Sequence, residues 1–393
     1  MVQILTFAGD CSIHKSMEKR EFECRVITPL FMSGADVNRA ELRPSEFKGM
    51  MRFWWRAARA EPDWRRLREQ EAKIFGGSGE GEGRSRFFLR VSGEPEVGRN
   101  LKEDYELKWE LKRVDGSKTL IGDHAGIGYL LYSTTGMFLR PYFKPGGKFY
   151  LKLIMEEEVT EQVLAALWLS VVLGSFGARS RRGGGSILCV PSCKKKDLTF
   201  KPQDKDAEEI SAWLRKNLAL INKILKPSLA KQVQYSNFKD SNIIISQKSF
   251  FGWEQALNDI GKIYKNFRFK KRKQFLKVAY FGFPILHFRG RNLRIEVKAG
   301  KRKEERWEYI ERRASPLWIK ILSNGEEYFW MAIRFNGQFL PPDAEIIEVE
   351  KRKNNNKWKA RVSNTLKQPD SSLLNEFWEI LREKGKEINL IQP

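Results

Sequence analysis

From Phe22 to Phe31 the chain is rich in β-branched and aromatic residues and breaks at Thr28–Pro29, which predicts a strand entering a loop. Gly34, Asp36 and Asn38 mark that loop, and Pro44–Ser45 then opens a helix, since proline suits the first helical turn. Phe47, Met50, Met51, Trp54 and Ala58 recur at helical spacing and define its buried face. A shorter helix, Asp63 to Phe75, runs into the glycine-rich segment 76–83. Phe87–Val91 and Phe149–Met155 predict two more strands, separated by an irregular insertion from about Ser92 to Lys148 with an expected hairpin around Tyr105 to Lys112. Val159 to Leu173 is apolar enough for a buried helix, Gly174 to Gly185 is a glycine- and arginine-rich loop, and Ser186–Val190 is a fourth strand stopped by Pro191. The order β-α-β-β-α-β is that of a ferredoxin-like unit, one sheet with two helices on one face.

Lys194–Lys196, Pro202 and the acids around Asp206 break the pattern and predict a division into residues 1–195 and 196–393. The second half opens with a helix, Ala207 to Leu225, and Val278 to Leu286 reads as a strand bent at Gly282 and Pro284. Leu317–Leu322 and Tyr328–Phe335 flank Asn324–Gly325, a strong hairpin signal. Ser371 to Lys384 is an amphipathic helix. The expected class is therefore α+β, with a second domain of the same ferredoxin-like type, although no sequence repeat links the halves.

Charge changes the picture next. The 393 residues hold 72 Lys and Arg against 49 Asp and Glu, a net charge of +23, while 41% hydrophobic residues exclude a disordered basic tail. Such an excess calls for an acidic partner, nucleic acid first and an anionic membrane second. No run of about 18–20 apolar residues offers a membrane span, no secretory signal is visible at the start, and four cysteines in a long chain fit a reducing interior. The expected location is cytoplasmic.

The cations concentrate in three places. Arg43 precedes the first helix, and Lys48, Arg52 and Arg56 form a ridge at i, i+4 and i+8 along it; Trp55 lies off the apolar face, where it could stack on a base or pack against the insertion. Arg179, Arg181 and Arg182 lie in the glycine-rich loop, where the backbone can approach a ligand and guanidinium forks suit phosphate. Lys262 to Arg306 carries sixteen Lys or Arg against three acids, with Lys270, Lys271 and Arg272 in its densest run and Phe267, Phe269, Phe275, Tyr280, Phe281 and Phe288 interleaved. That pattern suits either a solvated surface over core aromatics or RNA binding by phosphate contact and base stacking.

Catalytic sets are poor. The three histidines, His14, His124 and His287, stand apart, no metal-ligand spacing appears, and no cofactor motif is present. The expectation is a binding protein with no enzymatic activity, no metal and no cofactor. Two alternatives stay open: a metal-independent ribonuclease using His124, or His14 with a loop arginine, and a general basic scaffold for acidic partners.

The strand order and the loop after the second helix resemble the RAMP superfamily of CRISPR-associated RNA-binding proteins. Cys24–Phe31 with Glu41–Arg56 resembles the N-terminal signature of the family of first-numbered subunits of type III-B Cmr effector complexes. Arg312–Ile319 with Gly282–Phe283–Pro284 resembles that family's C-terminal signature, and Phe75–Gly76 its helix-ending pair. The resemblance implies two ferredoxin-like domains and a non-catalytic subunit that binds single-stranded guide and target RNA near the 3′ end of the guide. Its neighbours would be other RAMP subunits, and its purpose target capture in antiviral defence. It assigns Arg43, Lys48, Arg52, Trp54, Trp55 and Arg56 to an N-domain basic surface, Arg179, Arg181 and Arg182 to the glycine-rich loop, and Arg312 and Arg313 to the C-terminal signature. The Lys262–Arg306 stretch lies outside it.

Overall fold

Alternation along Met17–Val26 (β1) points Phe22, Cys24 and Val26 into the protein and Glu21 and Arg25 to solvent. The structure, a computed structural model, describes residues 16–135, 139–193, 198–203, 205–230, 233–288, 293–304, 306–354 and 357–389. β1 begins earlier than expected and stops at Val26, because the polar segment Met17–Glu21 pairs with a strand while Leu30 turns away to bond Phe143. Pro44–Arg59 (α1) starts on its proline and ends at Ala60 in a left-handed conformation. Trp64–Phe75 (α2) is capped by Asp63, whose carboxylate accepts the Arg65 and Arg66 N–H groups.

Phe87–Ser92 (β2) follows. The insertion after it holds a short helix, Ala125–Leu130 (α3), and then come Lys148–Glu156 (β3), Thr160–Trp168 (α4) with a π turn at Leu169–Leu173, and Ile187–Pro191 (β4). The sheet is antiparallel in the order β2-β3-β1-β4. Inside the insertion the expected hairpin at Tyr105–Lys112 is displaced. The hairpin is Glu110–Val114 with Ser117–Ile121, turning on Asp115 and Gly116, both with positive φ (46° and 72°), as an Asp-Gly turn requires.

Beyond Ala207–Leu225 (α5), the second sheet uses Asn237–Ser246 (β5), Leu317–Ser323, Tyr328–Asn336 and Gly385–Asn389. Trp253–Lys270 (α6) follows β5. Ile285–Phe288 (β6), Leu293–Lys303 (β7) and Arg306–Ile310 (β8) intervene before Leu317–Ser323 (β9) and Tyr328–Asn336 (β10). Ala344–Asn354 (β11) and Lys357–Leu366 (β12) intervene before Ser372–Arg382 (α7) and Gly385–Asn389 (β13). The second sheet runs β9-β10-β5-β13, again antiparallel and in the same second-third-first-fourth permutation as the first. The intervening strands form an accessory sheet, β6-β7-β11-β12, with β8 paired to β7. The strand expected from Val278 is replaced by helical turns at Phe275–Val278 and Ala279–Phe281, and extended pairing starts only at Ile285, past the break at Gly282 and Pro284.

One apolar cluster joins the inner faces of both sheets: Cys24 and Phe149 lie in it with Ile243, Trp318 and Met331, and α5 adds Ile210, Leu214 and Ile221. The insertion is locked to the second half where α3 meets α6. A Cβ on Gly126 would lie 2.3 Å from the Asn258 carbonyl oxygen, so only glycine allows that approach. Asn258 clasps the contact, accepting the Gly126 N–H at 3.0 Å and donating to the Asp123 carbonyl at 2.7 Å. Among the described residues no helix is long and apolar enough to cross a membrane.

Candidate nucleic-acid interface

The glycine-rich loop is clamped rather than free. Gly177 and Gly185 have φ of +73° and +68°, and a Cβ there would lie 2.4 Å from the Phe31 oxygen and 1.8 Å from the Phe176 oxygen. Glu46 of α1 accepts the Gly177 N–H at 2.9 Å, and Ile319 of β9 donates its N–H to the Arg181 carbonyl at 3.2 Å. The loop is thus held between the first helix and the second sheet.

Its arginines reach across this junction, each to backbone carbonyls. Arg179 Nε donates to Leu130 at 2.7 Å, Arg181 Nη1 to Ser315 at 3.0 Å, and Arg182 to Leu317 at 3.3 Å and Phe281 at 3.1 Å. Arg313 joins them, donating to the Gln338 carbonyl at 2.8 Å and to Ser236 Oγ at 3.3 Å, while its buried Nε has no partner among the described residues. Arg268 of α6 donates to the Val278 carbonyl at 3.1 Å. Aromatic faces line the site: Arg179 lies over Tyr132, Arg181 over Phe53 and Trp318, and Arg182 over Tyr264, all with 4.9–5.3 Å to the centroids. Phe53 itself stacks on Trp318 at 5.7 Å. Residues from the two sequence signatures therefore meet here.

Among the described residues no carboxylate lies within 4.0 Å of any of these five arginines. Burial, with Arg182 close by, brings Arg179 and Arg181 down to about 10, and burial lowers Arg313 as well. At neutral pH Arg179 and Arg181 remain charged, each beside Arg182, with carbonyl dipoles and aromatic faces rather than carboxylates around them. Carbonyl oxygens offset part of that cost; a bound anion would offset more.

The α1 ridge is built differently. Arg52 and Arg56 both reach Glu71 of α2, at 3.3 and 3.2 Å, and Arg52 donates to the Phe75 carbonyl at 2.8 Å and to that of Gly76, closing the C-terminus of α2. Lys48 sits over the Phe87 ring at 5.1 Å, and Arg43 lies 4.0 Å from Glu41. Trp55 is 1% exposed, packed on Phe75, with its indole N–H on Gln162 at 3.4 Å. The expectation of an open base-stacking face there is corrected, because α2 and α4 cover the ring.

Of the remaining candidates, Lys271 pairs with Glu376 at the end of α6, and Arg272 packs on Phe269 and bonds Ser117 of the insertion hairpin. Lys270 and Arg312 are exposed. His124 Nδ1 accepts the Lys108 N–H at 3.0 Å and so fixes a turn; His14 and the His287 side chain lie outside the described residues. Among the described residues no cluster suited to a metal ion is found. Arg268 is one of the sixteen cations of the 262–306 stretch but does not stand out among them, although the buried Trp253, Leu257, Ile260, Tyr264 and Phe267 around it recur at helical spacing. The sequence reading passed over Lys320, a cation inside the apolar run of β9. Lys320 is fully buried and donates to the Val171 and Gly174 carbonyls, both at 2.6 Å, where the π turn ends.

A family model described as the RAMP superfamily matches residues 23–188. Among curated proteins, CRISPR system Cmr subunit Cmr1-1 of Pyrococcus furiosus is 27% identical over 79% of this chain and 84% of its own. Cmr subunit Cmr1-2 of the same organism is 32% identical over 42% of this chain and 92% of its own. The chain belongs to the RAMP superfamily, in its Cmr1 family. The crystal structure of Cmr1 from P. furiosus in its apo form superposes with a TM-score of 0.60, covering 94% of this chain and 98% of that one at 23% identity, which shows a shared fold. The RAMP-matched region spans both α1 and the glycine-rich loop, so this chain carries its arginine cluster partly within that region and partly in its second half.

Proposed function

We propose that this Cmr1-family chain is a non-catalytic RNA-binding subunit of a CRISPR Cmr complex. It holds single-stranded guide and target RNA near the 3′ end of the guide, beside other Cmr subunits in the cytoplasm. Both halves are read as ferredoxin-like domains divided near residue 195, with the repeated strand permutation as support. One observation carries the functional reading: five arginines converge on the junction with aromatic faces beside them and carbonyls in place of counter-charges. Phosphates supply what that cluster lacks, and Tyr132, 61% exposed beside Arg179, offers a base a stacking face. Such contacts position RNA without reading its sequence.

The test is binding of a fluorescein-labelled single-stranded RNA of guide length to the full chain across a salt series, followed by incubation of the RNA with the protein in EDTA. The expected result is salt-sensitive binding, weakly dependent on sequence, with the RNA left intact. Binding no stronger than to a neutral polymer would overturn the RNA reading, and specific cuts lost in His124→Ala would overturn the non-catalytic one.

A further inference from the structure

A further concentration of positive charge lies outside the first helix, the glycine-rich loop and the 262–306 stretch. Residues 351–361 hold six cations and no acid: Lys351, Arg352, Lys353, Lys357, Lys359 and Arg361. The structure folds them into the end of a hairpin, β11 with β12, paired from Ile346↔Leu366 out to Asn354↔Lys357. β11 takes β7 on its other side, with Arg294 directly opposite Lys351. Part of the basic Lys262–Arg306 stretch is therefore laid against this hairpin, and two charge concentrations distant in sequence become one surface.

β12 is the edge of the accessory sheet, and from Lys359 to Thr365 every residue but Val362 is exposed. Lysines on an edge strand can simply discourage pairing with other chains. That accounts for Lys359 but not for Lys351, Arg352 and Lys353 on the inner strand. Three cations of the group are held by acids: Lys351 by Glu296 at 2.6 Å, and Arg352 and Arg361 by Glu350. Among the described residues Lys353 and Lys359 have no carboxylate partner.

We propose that the β11–β12 hairpin is a second RNA contact, an arm that grips the sugar–phosphate backbone away from the junction cluster. The proposal rests on the RNA-binding reading above. A two-stranded ribbon that carries unpaired lysines and an exposed edge fits a polyanion tracked along its length.

The experiment compares the full-length chain with K353A/K359A, and with R215A/K216A on exposed positions of α5 as a control of equal charge loss. Each is titrated with a labelled single-stranded RNA from low to moderate salt. Losing two phosphate contacts is expected to reduce the slope of log affinity against log salt by about 1.4, and to weaken binding on the order of 10-fold at physiological salt. The control is expected to stay within about 3-fold of the parent. K353R/K359R, which keeps the charge, is expected to keep the slope and guards against a folding defect. A binding parent with an unchanged hairpin variant, or a control that falls as far, would overturn the arm alone. A parent that does not bind would overturn the RNA reading and the arm with it. A variant that keeps RNA affinity but no longer co-purifies with other Cmr subunits would reassign the hairpin to a protein contact.

Discussion

The α1 ridge and the glycine-rich loop carry the same residue types within the same superfamily domain, yet the protein uses them in different ways. Arg52 and Arg56 converge on Glu71 and close the end of α2, so their charge is largely spent on holding two helices together. Arg179, Arg181 and Arg182 converge on carbonyls and on each other. The difference teaches that positive charge marks a binding surface only where the fold withholds its counter-charge.

The largest effect that would sharpen this contrast is charge reversal at the loop. R181E/R182E is expected to lower RNA affinity by at least ~100-fold, because repulsion replaces two partly desolvated cations. Arg56→Glu, on the ridge, is expected to change affinity by less than about 3-fold. Equal losses from the two, measured by titration at one salt concentration, would erase the distinction. Next comes Gly185→Ala. Its left-handed φ of +68° and the 1.8 Å approach to Phe176 predict a loss of about 1–3 kcal/mol in unfolding free energy, with weaker RNA binding as the loop shifts. Full stability and affinity in that variant would show that the clamp does not set the arginines.

A smaller effect concerns the junction beneath the loop. Burial brings Lys320 down to about 7 from an ordinary lysine value near 10.5. Between those values the unfolded chain holds a proton that the folded one has released, so stability should rise with pH across that window, by at most about 1.4 kcal/mol per unit. Below pH 7 both states are charged and the slope vanishes. Lys320→Met should flatten the rise in denaturant unfolding measured from pH 7 to pH 10, and an identical slope in the variant would contradict the assignment.

Much of this organisation was legible in the sequence where the signal is local. Proline at Pro44, the periodic face of Ala207–Leu225 and Asn324–Gly325 between two apolar runs each set an element with nearly its observed bounds. β5 was not legible, since its first half is the polar Asn237–Asn242, and α6 was obscured because its buried aromatics alternate with lysines that drew attention as a basic patch. At the site, the loop arginines stood out through glycine and charge together. That Trp55 would be covered, or that Glu71 would neutralise Arg52 and Arg56, depends on how α2 folds back over α1, a tertiary pairing that local pattern does not encode. The charge at 351–361 is contiguous and legible; what local pattern does not encode is the pairing that lays β7, with Arg294 opposite Lys351, beside it.

The central claim is that RNA lies against the junction arginines rather than along α1. Ultraviolet crosslinking of labelled guide-length RNA to the full chain, with the adducts mapped to peptides, tests it most directly. The account predicts adducts at Tyr132 or Phe53 and in the peptide spanning 176–185, with none on Trp55. Adducts confined to α1 and α2, with the loop and its aromatic neighbours unmodified, would contradict it.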